Sequence, residues 1–367
     1  MKDAAFEQQM LARAARIALR GHGGGEPNPL VGCVLVDDQG TVIAEGFHRV
    51  CGQEHAEAMA LRRAGARARG TTAYTTLEPC NHHGRTPPCS DALIRACVRR
   101  VVFAECDPNA TASGGSARLR AAGIAVAHVR SGPCDELNEP FRHRIATQLP
   151  WVMAKWAQSI DGAIATRSGD SKWISGERSR RLVHRERGRV DVIITGVGSA
   201  MTDDPRLTAR GVRTRRKALR VLIDPQLTAP HSLALFDTSA APTLVACLPD
   251  RLHAGPANGL RELGIEVSPL GPRGEVRPLL AALARERGVA TVLIEAGGGL
   301  VGDLLREEIV NEAWIFVAPI IIGDAQARRA ARGDAPELIA DARQFRLVSS
   351  RRRGDDMLLQ YRTLRDA

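Results

Sequence analysis

Short apolar strand-like runs alternate with helix-patterned stretches along the whole chain, and the alternation breaks and restarts at Pro150. This constrains the fold more than any other feature. Strands that alternate with helices bury both faces of a sheet in a layered α/β arrangement. Phe6, Met10, Ala14 and Ile17 recur at helical spacing and predict an amphipathic helix over 3–20, ended by the glycine-rich loop 21–25. Strands are expected at 30–36, 41–47, 71–77, 100–105 and 124–129, and helices at 55–65, 88–97 and 116–122. Beyond Pro150, strands are expected at 151–157, 191–195, 219–223, 243–247, 291–294 and 312–318. Helices are expected there at 176–188, 277–287 and 300–307, and a hairpin (345–350 with 357–364) turns at Gly354. The second half therefore reads as a mostly parallel sheet with an antiparallel edge. The expected domains are 1–148 and 149–367, which suits 367 residues at about 150 per domain.

Composition narrows the function classes. Hydrophobic content of 44% and charged content of 25% are those of a soluble globular protein. No apolar run approaches the roughly 18 residues of a membrane span, and the best stretch, 314–322, contains Pro319. Asp3 and Glu7 stand where a signal peptide would have its apolar core, so a cytoplasmic protein with no targeting segment and no membrane partner is expected. The net charge of +10 suits either a nucleic-acid partner or small anionic substrates. The basic residues are scattered, with only short clusters such as Arg351-Arg352-Arg353. Aromatic content of 4% is poor material for base stacking, so no nucleic-acid partner is expected.

Seven of the eight cysteines precede residue 135, which points to metal or catalytic use of a subset rather than to a disulfide framework. Cys33, Cys51, Cys97, Cys106, Cys134 and Cys247 stand singly and read as small buried apolar residues. His55, Cys80 and Cys89 are different. The histidine opens one helix, Cys80 follows a strand, and Cys89 opens another helix behind Pro87-Pro88. Three protein ligands leave zinc a fourth position for water, whose pKa falls from 15.7 to about 7. Glu57, two residues past His55, is placed to move a proton between that water and a departing ammonia. Zinc deaminases show H-x-E followed by P-C-x-x-C. Here the second cysteine comes nine residues after the first, so a structural zinc closed by His82 or His83 is the competing reading.

His55-Ala56-Glu57 together with the run Thr76-Leu77-Glu78-Pro79-Cys80-Asn81-His82-His83-Gly84-Arg85-Thr86-Pro87-Pro88-Cys89 closely resembles the bifunctional riboflavin-biosynthesis deaminase–reductase family. Pro27-Asn28-Pro29-Leu30-Val31-Gly32 also matches, and the long cysteine spacing is that family's own variant. The resemblance implies an α/β protein with a cytidine-deaminase-like three-layer N-terminal domain, zinc on His55, Cys80 and Cys89, and Glu57 as proton shuttle. It also implies substrate contacts from Asn28, His48, His82 and Arg85. From the residues alone, Asn28 reads as a turn residue, His48 as a strand cap and Arg85 as a solvated loop charge. The family pattern weakens at Asp107-Pro108-Asn109 and at Gly114-Gly115-Ser116, which is expected to affect a loop more than the chemistry.

In the second half, Gly297-Gly298-Gly299-Leu300-Val301-Gly302 follows a strand and opens a helix, as a phosphate cradle does. A Rossmann reading fails, because Glu312 comes too early to be its acidic partner. A tight turn without a ligand is the plain alternative. Lys155, Ser159-Ile160-Asp161-Gly162, Gly169-Asp170-Ser171-Lys172-Trp173-Ile174, Asp203-Asp204-Pro205 and Glu295-Ala296-Gly297 resemble the reductase half of the same family. That implies a dihydrofolate-reductase-like domain binding NADPH. Ala157, Trp173, Ser199, Asp203 and the turn Gly297, Gly298, Gly299, Leu300, Val301, Gly302 and Asp303 would line the nucleotide. Ser171, Arg187, Leu207, Arg210 and Glu295 would meet the substrate, and the arginines suit its phosphate. Core packing for Trp173 and a charge-rich helix surface for Arg187 are the alternatives.

The expected reaction is zinc-hydroxide deamination of 2,5-diamino-6-(5-phosphoribosylamino)pyrimidin-4-one, followed by NADPH reduction of the ribosyl group to ribityl. Lys155, Asp203 and Glu295 are unranked candidates for the second proton donor. A phosphorylated aminopyrimidine and NADPH are the expected partners, in a homo-oligomer (dimer or tetramer). Two rivals share parts of this pattern: a base deaminase on RNA with a C-terminal RNA-binding module, and a reductase whose zinc is structural.

Overall fold

Strands β1 (Gly32–Val36), β2 (Val42–Phe47), β3 (Thr72–Thr75), β4 (Arg100–Phe103) and β5 (Ala125–His128) form one sheet in the order β2-β1-β3-β4-β5. The pairs β1–β2 and β1–β3 are antiparallel, and β3–β4 and β4–β5 are parallel. The computed structural model describes residues 3–333 and 336–364. The chain divides into two units, Met1–Thr147 and Gln148–Ala367.

In the first unit, α1 (Ala4–Ala18) begins at Asp3, whose carboxylate accepts the Phe6 N–H at 2.7 Å. Met10, Leu11, Ala14 and Ile17 of α1 pack with Val34, Val36, Tyr74 and Val102. The alternate residues Cys33, Leu35, Ala73 and Val101 face the opposite layer, with α2 (Ala56–Ala64), α3 (Cys89–Arg95) and α4 (Gly115–Ala121). All five residues of β1 are therefore buried. Gly46 allows this closeness, because a Cβ there would lie 2.0 Å from the Ala56 carbonyl oxygen. The start of α2 thus rests on β2. A fifth helix, α5 (Gly132–Thr147), was not expected, since Gly132-Pro133 and the internal Pro140 argue against a helix.

The second unit continues with β6 (Trp151–Gln158), β7 (Ala163–Ala165), α6 (Glu177–Arg187), β8 (Val192–Gly196), α7 (Val197–Asp203), β9 (Leu219–Ile223) and β10 (Thr243–Cys247). Then come α8 (Gly255–Glu262), β11 (Glu266–Pro269), α9 (Arg277–Arg287), β12 (Thr291–Ile294), α10 (Gly298–Arg306), β13 (Glu312–Val317), β14 (Arg328–Arg329), β15 (Phe345–Arg353) and β16 (Asp356–Thr363). Nine strands form a sheet in the order β11-β10-β9-β8-β12-β6-β13-β16-β15. The pairs from β11 to β13 are parallel, and the closing hairpin is antiparallel. The small pair β7–β14 stands apart, and β7, α7, α8 and β11 were not anticipated. They are short, and α8 opens on Gly255-Pro256, a loop-like signal.

Helices cover both faces of the parallel strands, so those strands read as continuous apolar runs. Val152, Ile194, Val221 and Leu244 meet Leu279, Leu283, Val301 and Leu304 on one side. Trp151, Ile193, Leu222 and Val245 meet Leu182, Val183 and Leu260 on the other. Among the buried charged residues of this second unit, one is an arginine of a central strand. Arg220 on β9 is fully buried, and its guanidinium donates to the carbonyls of Arg206, Asp237 and Ala241 and to the Thr243 hydroxyl. Removing it leaves buried carbonyls without donors. Arg220→Ala should therefore lower stability by about 3 kcal/mol in urea unfolding. A loss below about 1 kcal/mol would mean those carbonyls find water instead.

Candidate active sites

In the first unit, the ligand-type side chains converge because two helices begin at one place. His55 stands immediately before α2 and Glu57 is in its first turn, while Cys89 opens α3 behind Pro88. Cys80 hangs on the loop that follows β3. His55 Nδ1 lies 3.5 Å from Cys80 Sγ and 3.3 Å from Cys89 Sγ, and all three ligand atoms fall within 4.8 Å of one another. A tetrahedral zinc with ordinary Zn–N and Zn–S bonds separates such atoms by about 3.6 Å, so the donor set fits the ion. Among the described residues, no further His, Cys, Asp or Glu joins this group. The structure thus brings together the three expected ligands and supplies no closing fourth from His82 or His83.

Glu57 is buried beside them. Desolvation first, and then the Cys80 charge, push its carboxyl up to about 6. Hydrogen bonding to Cys89 and His55 draws Cys80 down to about 4. The Cys89 N–H also donates to Cys80 Sγ at 3.4 Å.

A cavity of about 410 Å³ opens onto this group, and all four expected substrate contacts, Asn28, His48, His82 and Arg85, line it. His48 is buried. The Asn28 amide donates to His48 Nε2 at 3.3 Å, and Nδ1 lies 3.2 Å from the Glu54 carbonyl. Those partners assign a neutral ring with its proton on Nδ1, and burial lowers the pKa to match. His48 is therefore a cavity residue, not a strand cap. His82 Nδ1 is buried with no hydrogen-bond partner.

Sequence reasoning missed Asp107 and Asn109 on this wall, and also Phe141, Arg144 and Ile145 of α5. The last three share one helical face, but the helix itself had been concealed by its prolines. The turn Gly114-Gly115-Ser116 was expected to affect a loop more than the chemistry, and the loop it meets is the one that carries Cys80. A Cβ on Gly115 would lie 1.7 Å from the Pro79 carbonyl oxygen, and the Ser116 N–H donates to Glu78, so this turn braces the Cys80 loop. Cys97 and Cys106 are exposed, not buried, because both follow the end of an element.

In the second unit, β8, β12 and β6 are parallel neighbours, so their carboxyl ends deliver residues to one crevice. A cavity of about 1070 Å³ lies there. Its wall includes Lys155, Ala157, Ser171, Trp173, Arg187, Ser199, Asp203, Leu207, Arg210 and Glu295, with Gly297, Gly298, Gly299, Leu300 and Asp303 from the α10 turn. Val301 and Gly302 do not line it. Helical rotation turns Val301 into the core, and Gly302 lies against the Arg332 backbone.

Trp173 is 71% exposed, with the Arg180 guanidinium 4.8 Å from its ring centre, which overturns core packing. The Ser199 hydroxyl accepts the Gly297 N–H at 2.8 Å and so fixes the glycine turn. Arg187 leaves the helix surface for a two-pronged pair with Glu295, at 2.5 and 2.9 Å, and Lys155 Nζ lies 3.7 Å from the same carboxylate. Burial alone would raise Glu295, but Arg187 and then Lys155 hold it at about 2. Desolvation lowers the Lys155 pKa. Asp203 lies 3.6 Å from Lys172 and is partly exposed.

Comparison with known proteins gives a family match for each half of the chain. The family described as cytidine and deoxycytidylate deaminase zinc-binding region matches residues 5–105, and the RibD C-terminal domain matches residues 150–359. Riboflavin biosynthesis protein RibD of Escherichia coli strain K12 is 37% identical, over 96% of this chain and 98% of its own. The Actinobacillus pleuropneumoniae RibD is 38% identical, over 96% and 94%. Among solved structures, Acinetobacter baumannii RibD superposes with a TM-score of 0.83 at 34% identity, covering 99% of this chain and 100% of that one. The diaminohydroxyphosphoribosylaminopyrimidine deaminase/5-amino-6-(5-phosphoribosylamino)uracil reductase of Thermotoga maritima is also similar, with a TM-score of 0.83 at 30% identity, covering 98% and 99%. A reductase-type second half disfavours an RNA-binding module there.

The ion cluster makes a stability prediction. A carboxyl held at about 2 rather than near 4.5 stabilises the fold at neutral pH, and that stabilisation is lost as pH falls from about 5 through 2. Glu295→Gln should cost on the order of 3 kcal/mol at pH 7 and flatten this acid dependence. Equal acid dependence in wild type and variant, followed by urea unfolding from pH 7 to 3, would remove Glu295 from that role.

Proposed function

This chain belongs to the RibD family, and on that premise we propose how its residues divide the work between deamination and reduction. It is a bifunctional deaminase and reductase of riboflavin biosynthesis with zinc and NADPH as cofactors. The observation that carries the residue assignment is one buried carboxylate, Glu57, on the same cavity as a three-donor His/Cys/Cys set.

The deaminase substrate is diaminohydroxyphosphoribosylaminopyrimidine, as in the name of the Thermotoga relative. Zinc on His55, Cys80 and Cys89 supplies activation of water, lowering its pKa to about 7. Glu57 takes the proton from the attacking water and hands it to the leaving amino group. The ring carbon gains a C–O bond and loses its C–N bond, and ammonia departs. Asn28 and His48 hold the ring through their paired amide and imidazole, His82 offers its unsatisfied Nδ1, and Arg85 faces the phosphate.

The reductase half receives 5-amino-6-(5-phosphoribosylamino)uracil. NADPH supplies a hydride to C1 of the ribosyl group, which becomes ribityl. The N–H groups at the start of α10, from Gly298 to Leu300, would hold its pyrophosphate, on a turn fixed by the Gly297–Ser199 bond, with Ala157, Trp173, Ser199, Asp203 and Asp303 along the nucleotide. Ser171, Arg187, Leu207, Arg210 and Glu295 meet the substrate. Of the three proton-donor candidates, Lys155 is favoured. Glu295 is held ionised by Arg187 and can only accept, and Asp203 is partly exposed and beside Lys172. Lys155 is a mostly buried ammonium at the cavity wall.

The proposal extends to a cytoplasmic homo-oligomer, dimer or tetramer, that binds neither nucleic acid nor membrane. Scattered basic residues and scarce aromatics support small anionic ligands over a nucleic-acid strand. Among the described residues, no helix is long and apolar enough to cross a membrane.

Glu57→Gln should retain zinc but lose ammonia release by about a hundredfold to ten-thousandfold. Turnover within a few-fold of wild type, measured by ammonia assay and metal analysis, would end the shuttle assignment. Without NADPH, the wild type should release ammonia and accumulate the ribosyl product. Ribityl product formed under those conditions, identified by mass spectrometry, would refute the NADPH-dependent reductase assignment.

A further inference from the structure

The cavity of the first unit is electrically divided. Glu57, Glu78 and Asp107 all line it, and the charges that act on Asp107 are Cys80, Glu78 and His82, so the acids gather around the Cys80 end. Two guanidinium groups lie elsewhere on the wall, flanking the turn at Cys51-Gly52. Arg85 rests on Gly52, where a Cβ would come within 2.9 Å of its Nη1. Arg144 of α5 donates to the Pro27 carbonyl at 3.3 Å and lies within electrostatic reach of Cys51.

Arg144 is half-buried, and neither arginine has a carboxylate in ion-pair contact among the described residues. Two like charges around one turn, one of them drawn out of water, are unfavourable without a counter-anion. Pro27 is the neighbour of Asn28, so the bond to its carbonyl sets the Arg144 fork next to the residue that holds the ring. The remaining N–H donors of that fork are suited to a two-pronged grip on phosphate.

We propose that Arg144, acting with Arg85, reads the 5-phosphate of the deaminase substrate and so selects the phosphorylated ribosylaminopyrimidine over its dephosphorylated counterpart. The inference deepens the deaminase reading of this cavity and rests on it. The ligand then lies along the cavity with its ring at Glu57 and Cys80 and its anionic end at Cys51-Gly52. Arg144 is a specificity residue, and it acts on binding rather than on the proton transfers at Glu57.

The test is ammonia release by the full-length, zinc-loaded protein without NADPH, on the phosphorylated substrate and on the same compound lacking its phosphate. The wild type should prefer the phosphorylated form, with a KM that rises with salt. Arg144→Met should raise the KM for that substrate about tenfold to a hundredfold with kcat little changed. It should leave the KM for the dephosphorylated compound within about threefold and flatten the salt dependence. Arg144→Lys, which keeps the charge but not the fork, should fall between. Should Arg144→Met retain the full phosphate preference, or raise both KM values together as a mere prop for Pro27 would, the inference is overturned. If the wild type releases ammonia from neither compound, the deaminase reading itself has failed.

Discussion

His55, Glu57, Cys89 and the glycine turn at Gly297 all stand at the start of a helix. The first turn of a helix has N–H groups without intrahelical partners and carries positive partial charge, so it favours anions and thiolates. In the first unit, α2 and α3 begin at His55 and Cys89, and both starts face the loop bearing Cys80. In the second, α10 begins at the glycine turn beyond β12, between β8 and β6. Parallel pairing makes this possible, because neighbouring strands then end on the same side.

Close packing holds those starts in place. Gly46 lets α2 rest on β2, and Gly115 lets α4 press on Pro79, immediately before Cys80. The glycines are far from the chemistry in sequence, yet they set the distances between donors. In the second unit an ion cluster has the same task. Arg187 and Lys155 share Glu295, so three charged groups from α6, β6 and the end of β12 fix one another on the cavity wall. Such a cluster can be buried only because every member is paired. It also separates the roles of its members, since the carboxylate stays ionised and the lysine keeps protons to give.

The two cavities differ as their ligands do. The smaller one is lined by a neutral histidine, an amide and buried acids, and suits a heterocycle with an anionic tail. The larger one has a glycine turn, an exposed tryptophan and several arginines, and suits a nucleotide beside a second phosphorylated molecule. In the proposed sequence, the product of the first is the substrate of the second.

Much of this was legible in the sequence. The strands at 219–223, 243–247 and 291–294 were found at their boundaries, because strands buried on both faces are continuous apolar runs. His55, Glu57, Cys80 and Cys89 were legible because metal and proton chemistry admits few residue types, and their spacing stayed within a recognisable motif. What the chain alone could not give depended on which face of an element turns inward. Val301 and Gly302 sit in the glycine motif but rotate away from the cavity, whereas Arg144 belongs to no motif and rotates towards one. Helix α5 was concealed because local propensity penalises its prolines, and tertiary packing against α1 overrides that penalty. Sequence determined which chemistry is available, because reactive groups are a property of residue types. Only the tertiary structure decided which charges share a cavity, because that depends on contacts between residues as distant as Pro27 and Arg144.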